Sequence, residues 1–125
     1  PLVFTDPEID LVIVVDTGDL SHAGVDKYLK DHPAKIINID HHQTNPGYGH
    51  INMLHFKASS TTEIIYSFFR YNSISVNHKI ATSLLTGLIS DTENFTNGAT
   101  TSTACQSLVN WFVMGLTINS LIIGS

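Results

Sequence analysis

Two short apolar runs that each stop at an aspartate constrain this chain more than anything else in it. Leu11-Val12-Ile13-Val14-Val15 ends at Asp16, and Ile36-Ile37-Asn38-Ile39 ends at Asp40. Both are rich in β-branched residues and lack regular polar alternation, the pattern of strands covered on both faces of a parallel sheet. Between them Thr17-Gly18-Asp19 makes a turn, and a short helix is expected from about Gly24 to Asp31. This completes a βαβ unit and lays the two strands side by side and parallel. In open α/β sheets ligands gather outside the carboxyl ends of the strands. The expected fold class is therefore α/β, a parallel sheet with helices on both faces. Its chemistry belongs where Asp16 and the triplet Asp40-His41-His42 converge.

The remaining elements follow from periodicity and punctuation. Pro1 to Phe4 reads as a short strand, and Ile51 to Leu54 as a third strand after the turn formers of residues 43–49. Ser59-Ser60-Thr61 offers cap hydroxyls, and Glu63 lies at capping-box spacing from Ser60. Ile64, Ile65, Phe68 and Phe69 then repeat at helical spacing and are expected to pack on the sheet. Ile80, Ala81, Leu84, Leu85, Leu88 and Ile89 form the clearest helical stripe, in a helix running from about Asn77 to Ser90-Asp91. Another helix is expected from Thr100 to Met114, with Leu108, Val109, Phe112 and Val113 on its apolar side, and the start of one more in Thr117 to Ile123.

Composition narrows the partners. The 125 residues suffice for one domain, here taken as 1-125, and 42% hydrophobic content fits a globular class. No run reaches the roughly 18 apolar residues of a membrane span and no leader-like segment opens the chain, so no membrane partner and a cytoplasmic location are expected. The lone Cys105 excludes an intrachain disulfide and is expected as a buried structural thiol. A net charge of -5, with six basic residues of which Arg70 is the sole arginine, argues against a grip on long duplex nucleic acid. A small phosphorylated ligand screened by metal ions remains compatible. A homodimer is an open expectation.

Asp16, His41 and Asp91 are the expected metal ligands, because carboxylate oxygen and imidazole nitrogen together suit manganese or a similar divalent ion. A chain so poor in thiolate lacks a structural zinc motif. Asp91 enters through Gly87-Leu88-Ile89-Ser90-Asp91, where an apolar helix stops at a polar cluster. Three ligands do not fill two octahedral shells. Ser59, Ser60 and Thr62 are read as helix caps before phosphate binders, and His22 as a surface residue near enough to touch substrate. His32, His50, His55 and His78 are not assigned to the metal.

Four blocks in order, VVDTGD at 14–19, DHHQTN at 40–45, FKASSTTEIIY at 56–66 and GLISDTENF at 87–95, resemble the DHH phosphoesterases. Within that family they are most similar to the branch of oligoribonucleases (nanoRNases) and 3'-phosphoadenosine-5'-phosphate (pAp) phosphatases. The resemblance implies a Rossmann-like DHH domain in which Asp16 bridges two metal ions, His41 and Asp91 ligate one each, and His42 contacts the scissile phosphate. Asp40 is then the carboxylate that orients a histidine. The ions are expected to be Mn2+, with Mg2+ or Co2+ as substitutes, and the substrates short oligoribonucleotides or pAp-like nucleotides hydrolysed by a two-metal mechanism.

The family's first motif, a His followed by two aspartates, has no counterpart before Asp16, and no Gly-rich C-terminal substrate domain follows Asp91. The chain is accordingly expected to be a partial DHH domain that hydrolyses little alone. The alternatives are a cyclic dinucleotide phosphodiesterase, an inorganic pyrophosphatase of the same superfamily, or a non-catalytic remnant.

Overall fold

Among the described residues of the first half of the chain are three strands, all parallel and in the order β1-β2-β3. They are β1 (Leu11–Val15), β2 (Lys35–Asp40) and β3 (Ile51–Leu54), with the short helix α1 (Asp26–Leu29) between β1 and β2. The computed structural model describes residue 6, residues 8–98 and residues 100–113. It divides into two compact units, Pro1–Lys57 and Ala58–Ser125. The expected strand at Pro1 to Phe4 and helix at Thr117 to Ile123 lie outside the described residues. None of the described helices is long and apolar enough to cross a membrane.

In the first unit, register pairs Val12 with Ile36, Val14 with Asn38 and Val15 with Ile39, so Asp16 and Asp40 leave neighbouring strands at nearly the same level. The ladder continues past β1, because the Asp16 amide donates to the Ile39 carbonyl at 3.0 Å. β1 departs from the expectation of a strand covered on both faces: Leu11, Ile13 and Val15 are 45%, 57% and 47% exposed. A run in which every residue is apolar hides which face is covered. Helix α1 is shorter than expected. Val25 precedes it without a side-chain cap, and Pro33 pushes His32 away from helical backbone.

The second unit is helical, with α2 (Thr61–Tyr71), α3 (His78–Asp91) and α4 (Ser102–Val113). Ser60 caps α2 by accepting from the Thr62 amide, and Asn77 caps α3 by accepting from the amides of Lys79 and Ile80. Glu63 reaches back to the Ser59 amide at 2.8 Å, one residue earlier than the capping box expected with Ser60. Ser59 Oγ bonds Thr101 Oγ1 at 3.0 Å and accepts from the Thr101 amide at 3.0 Å. These hydroxyls therefore serve the ends of helices, as read from the sequence.

The core of this unit is the α3 stripe of Ala81, Leu84, Leu85 and Leu88 with Tyr66 and Ala104, flanked by Ile80 and Ile89. Truncating a buried leucine such as Leu85 to alanine costs about 2–5 kcal/mol. Phe68, placed on the buried face of α2 by its spacing, is 40% exposed, and Tyr66 is buried instead. On α4 Ala104 and Ser107 are buried and Val109, expected on the apolar side, is exposed; the side chains of Leu108, Phe112 and Val113 lie outside those described. Cys105 is exposed as well, which corrects the buried thiol expected from its helical neighbours: one turn of α4 turns Ala104 inward and leaves the next residue outside.

Candidate metal centre

Asp16, His41 and His42 come together at the carboxyl ends of β1 and β2. Each offers a ligand atom, and these atoms lie within 4.8 Å of one another. His41 Nε2 is 3.5 Å from Asp16 Oδ1, and the two imidazole rings meet edge-on with centroids 4.7 Å apart. Asp16 adopts a φ of 55°, in the left-handed region that aspartate tolerates better than most residues. This turn carries the chain from β1 into the loop that approaches the histidines. At Gly18 an added Cβ would stand 3.4 Å from both His42 Cβ and Thr44 Oγ1, in ordinary contact, so the two loops lie next to each other there.

Asp40, completely buried, organises the triplet. Its Oδ1 accepts from the His41 amide at 2.9 Å and stands 2.7 Å from His42 Nδ1. Its Oδ2 accepts from Asn45 Nδ2 at 2.6 Å. Burial pushes the Asp40 carboxyl up, but the bonds from Asn45 and His42 outweigh it and hold the group below the usual carboxylate range. An ionised carboxylate only accepts, so His42 must donate from Nδ1. In the neutral ring this leaves the Nε2 lone pair for a cation or a phosphate-bound proton.

Around Asp40 lies a set of amides that sequence reading passed over. Asn38 Nδ2 donates to Asn45 Oδ1 and to Asn52 Oδ1, each at 3.0 Å, which satisfies a polar residue in the middle of a strand that is 0% exposed. Asn45 Nδ2 and the Tyr48 hydroxyl both donate to the Thr17 carbonyl, at 3.1 and 2.7 Å. Burial raises the Tyr48 phenol to about 12, and the charges of Asp40 and Asp19 act in the same direction. The sequence held one signal for this network: Asn45 closes the DHHQTN block.

A cleft of about 410 Å³ opens beside the cluster, with Asp16, Thr17, Gly18, His22, His42 and Thr44 in its wall. His22, read from the sequence as a surface residue close to the site, is exposed and lines this cleft. His32 and His50 do structural work elsewhere in the unit. His32 Nδ1 accepts from the Ala34 amide at 3.1 Å, and His50 Nδ1 accepts from the Ile36 amide at 3.0 Å. Asp91 belongs to the second unit, where it is the last residue of α3 and its carbonyl accepts from Asn97 Nδ2 at 2.7 Å. The buried Thr92 closes the same helix end by donating to the Leu88 carbonyl at 2.7 Å. The cluster assembled in the first unit thus contains Asp16 and His41, as expected, together with His42, which the resemblance had placed on the phosphate.

Comparison with known proteins bears on what this arrangement belongs to. Residues 2–88 match the model of the DHH family, N-terminal domain. The chain is 38% identical over 97 residues to the probable bifunctional oligoribonuclease and PAP phosphatase NrnA of Streptococcus mutans, covering 78% of this chain and 31% of that protein. It is 36% identical over 94 residues to the cyclic-di-AMP phosphodiesterase PdeA of Listeria monocytogenes, covering 71% of this chain and 14% of that protein. The crystal structure of an exopolyphosphatase-related protein from Bacteroides fragilis superimposes with a TM-score of 0.83 at 20% identity, over 95% of this chain and 35% of that one. The chain thus spans about a third or less of these proteins, and the last likeness is one of α/β fold. A family match that takes in both strand ends, the Asp40-His41-His42 triplet and most of α3 leaves no other assignment: the chain belongs to the DHH family.

Proposed function

We propose that this chain is the cation-holding part of a phosphoesterase that hydrolyses short oligoribonucleotides and pAp-like nucleotides with manganese. The observation that carries this reading is the convergence of Asp16, His41 and His42 within 4.8 Å at two adjacent strand ends. One carboxylate with two imidazoles suits manganese and its neighbours, and no thiolate competes for a softer ion at that place. Asp16 and His41 would hold the metal, with His42 close enough to serve the ion or the phosphate it carries. Bound there, a pair of such ions would polarise the phosphoryl oxygens and lower the pKa of an attacking water.

The chain's own residues supply orientation. Asp40 fixes the His42 ring through Nδ1 and leaves Nε2 on the side of the ring away from that carboxylate. The Asp40 backbone also anchors the next segment, since its carbonyl accepts from the His55 amide at 3.1 Å. The Asp16 loop lies against the His42 loop at Gly18, and the cleft beside them accommodates a small anionic group. The sequence relative from Streptococcus mutans, named for oligoribonuclease and pAp phosphatase activity, supports these substrates. The relative from Listeria monocytogenes supports cyclic di-AMP as the second reading.

The test is a hydrolysis assay on the protein that carries this chain, with pAp, a diribonucleotide, cyclic di-AMP and pyrophosphate, with added Mn2+ and after chelation. Release from pAp and the dinucleotide that stops on chelation is expected. His41→Ala and Asp16→Asn are expected to lower turnover by about 100-fold or more, and Asp40→Asn by about 10–100-fold, the usual effect of losing a carboxylate behind a ligating histidine. The same assays and a manganese titration with Asp91→Ala test the ligand role that the resemblance implies for that residue. Turnover unaffected by chelation or by His41→Ala refutes the reading.

A further inference from the structure

We infer that Tyr48, acting with Asn45, is a positioning residue that clamps the Thr17 carbonyl and so sets the Asp16 carboxylate against His41. This deepens the phosphoesterase reading and rests on it. Asp16 follows directly on β1 in a left-handed conformation; its own amide is held by the Ile39 carbonyl, and the bonds to the next residue, Thr17, fix the far side of the turn. The Thr17 carbonyl has two lone pairs, and both are engaged by the loop after β2: Tyr48 Oη at 2.7 Å and Asn45 Nδ2 at 3.1 Å.

The two donors are not equivalent. Asn45 Nδ2 carries two hydrogens but faces Asp40 Oδ2 at 2.6 Å, Thr17 O at 3.1 Å and Asn38 Oδ1 at 3.2 Å, and the Asn45 side chain also bonds the Tyr48 hydroxyl. The carboxylate takes the shortest contact, because an ionised acceptor makes the stronger bond. The second hydrogen is shared among the remaining acceptors. The Tyr48 hydroxyl has a single hydrogen and gives it to Thr17, so it is the undivided half of the clamp. Asn45 meanwhile joins the two loops: one amide group touches both the carbonyl behind Asp16 and the carboxylate that aims His42.

Tyr48 is not itself among the residues that line the cleft, and its hydroxyl gives its hydrogen to a backbone carbonyl, which separates its role from that of a ligand. In the full protein, Tyr48→Phe removes only the hydroxyl. It is expected to weaken Mn2+ binding about 10-fold, as loss of a supporting hydrogen bond behind a metal ligand does. At limiting manganese kcat is expected to fall by a similar factor, KM for pAp to stay within about twofold, and saturating manganese to restore kcat. Loss of fold would not be rescued by the ion. Tyr71→Phe, on an exposed part of α2, is the control and is expected to change nothing.

Amide exchange on the metal-free protein gives an independent readout. In Tyr48→Phe, exchange at Thr17 and Gly18 is expected to accelerate while the amides of β2 keep their protection. A wild type that binds no manganese and hydrolyses none of the four substrates overturns the phosphoesterase reading. A wild type that binds it no more tightly than Tyr48→Phe overturns the clamp alone, and unchanged exchange at Gly18 overturns the clamp in either case.

Discussion

Burial of the Tyr48 hydroxyl, together with the charges of Asp40 and Asp19, opposes a phenolate and outweighs the hydrogen bond from Asn45 that favours it. The ionisation of the phenol is therefore raised from 10.0 to about 12. A group whose pKa is higher in the folded than in the unfolded state adds stability that is complete below the unfolded value and is lost as pH rises through the folded one. The first unit is thus expected to lose this contribution between about pH 10 and pH 12, with the Tyr48→Phe protein losing less over the same interval. Phenolate absorbance during an alkaline titration checks the assignment: the difference between wild type and Tyr48→Phe should be a single tyrosine titrating near pH 12. A difference centred near pH 10 contradicts it. Asp40 works in the opposite direction. Its lowered pKa stabilises the folded state above the ordinary aspartate range, and that contribution is lost as pH falls below it. What the sequence revealed at this scale was residue type at strand ends, Asp16 and the Asp40-His41-His42 triplet. It did not reveal Tyr48 or Asn45, because their bonds to Thr17 span 31 and 28 positions and follow no local period.

Elements were legible where a periodic stripe met a cap. Helix α3 was readable at both ends, from Asn77 to Asp91, because its apolar pairs recur every four residues and asparagine caps its start. The face of β1 was not, since a uniformly apolar run such as Leu11 to Val15 carries no record of which side is covered, and on α2 the spacing misplaced Phe68 and missed Tyr66. Within the second unit, Gly87 marks a close meeting of α2 and α3. A Cβ built there would stand 2.5 Å from Thr62 Cγ2 and 3.7 Å from Thr62 Cβ. Alanine favours a helix interior by about 1 kcal/mol over glycine, but forcing a methyl into packed space costs about 1–3 kcal/mol. Threonine is β-branched and cannot easily swing aside. Gly87→Ala is therefore expected to lower stability by about 1 kcal/mol. Adding Thr62→Ser removes the obstructing methyl and keeps the hydroxyl that bonds Ser60 at 2.8 Å, so the double variant should recover the loss. Denaturant unfolding of the four proteins in this cycle measures the coupling. Equal effects of Gly87→Ala with and without Thr62→Ser would remove Thr62 as the cause.

At the scale of the molecule, the four sequence blocks identified the family before any coordinates did, while the division into Pro1–Lys57 and Ala58–Ser125 left no mark in composition. No linker-like stretch separates the units, and Lys57 and Ala58 sit inside the FKASSTTEIIY block. The division has a thermodynamic consequence, because chains with separable units commonly unfold in more than one step. The cluster of Asp16, His41 and His42 belongs wholly to the first unit, so a cation bound by it stabilises that unit directly. With manganese at about 100 times its Kd, a single site adds about 2.7 kcal/mol to the unfolding free energy of the state that holds it. Calorimetry of the 125-residue chain is expected to show the transition of the first unit moving upward with manganese, and His41→Ala to abolish the shift. The concentration needed should be high, because three protein donors leave much of an octahedral shell to water. A chain that is stabilised equally by manganese with and without His41 would place the ion elsewhere. Magnesium at the same concentration should shift the transition less, since imidazole suits the transition metal better than the alkaline earth; a shift independent of the ion would mean that charge screening alone, on a chain of net charge -5, accounts for the stabilisation.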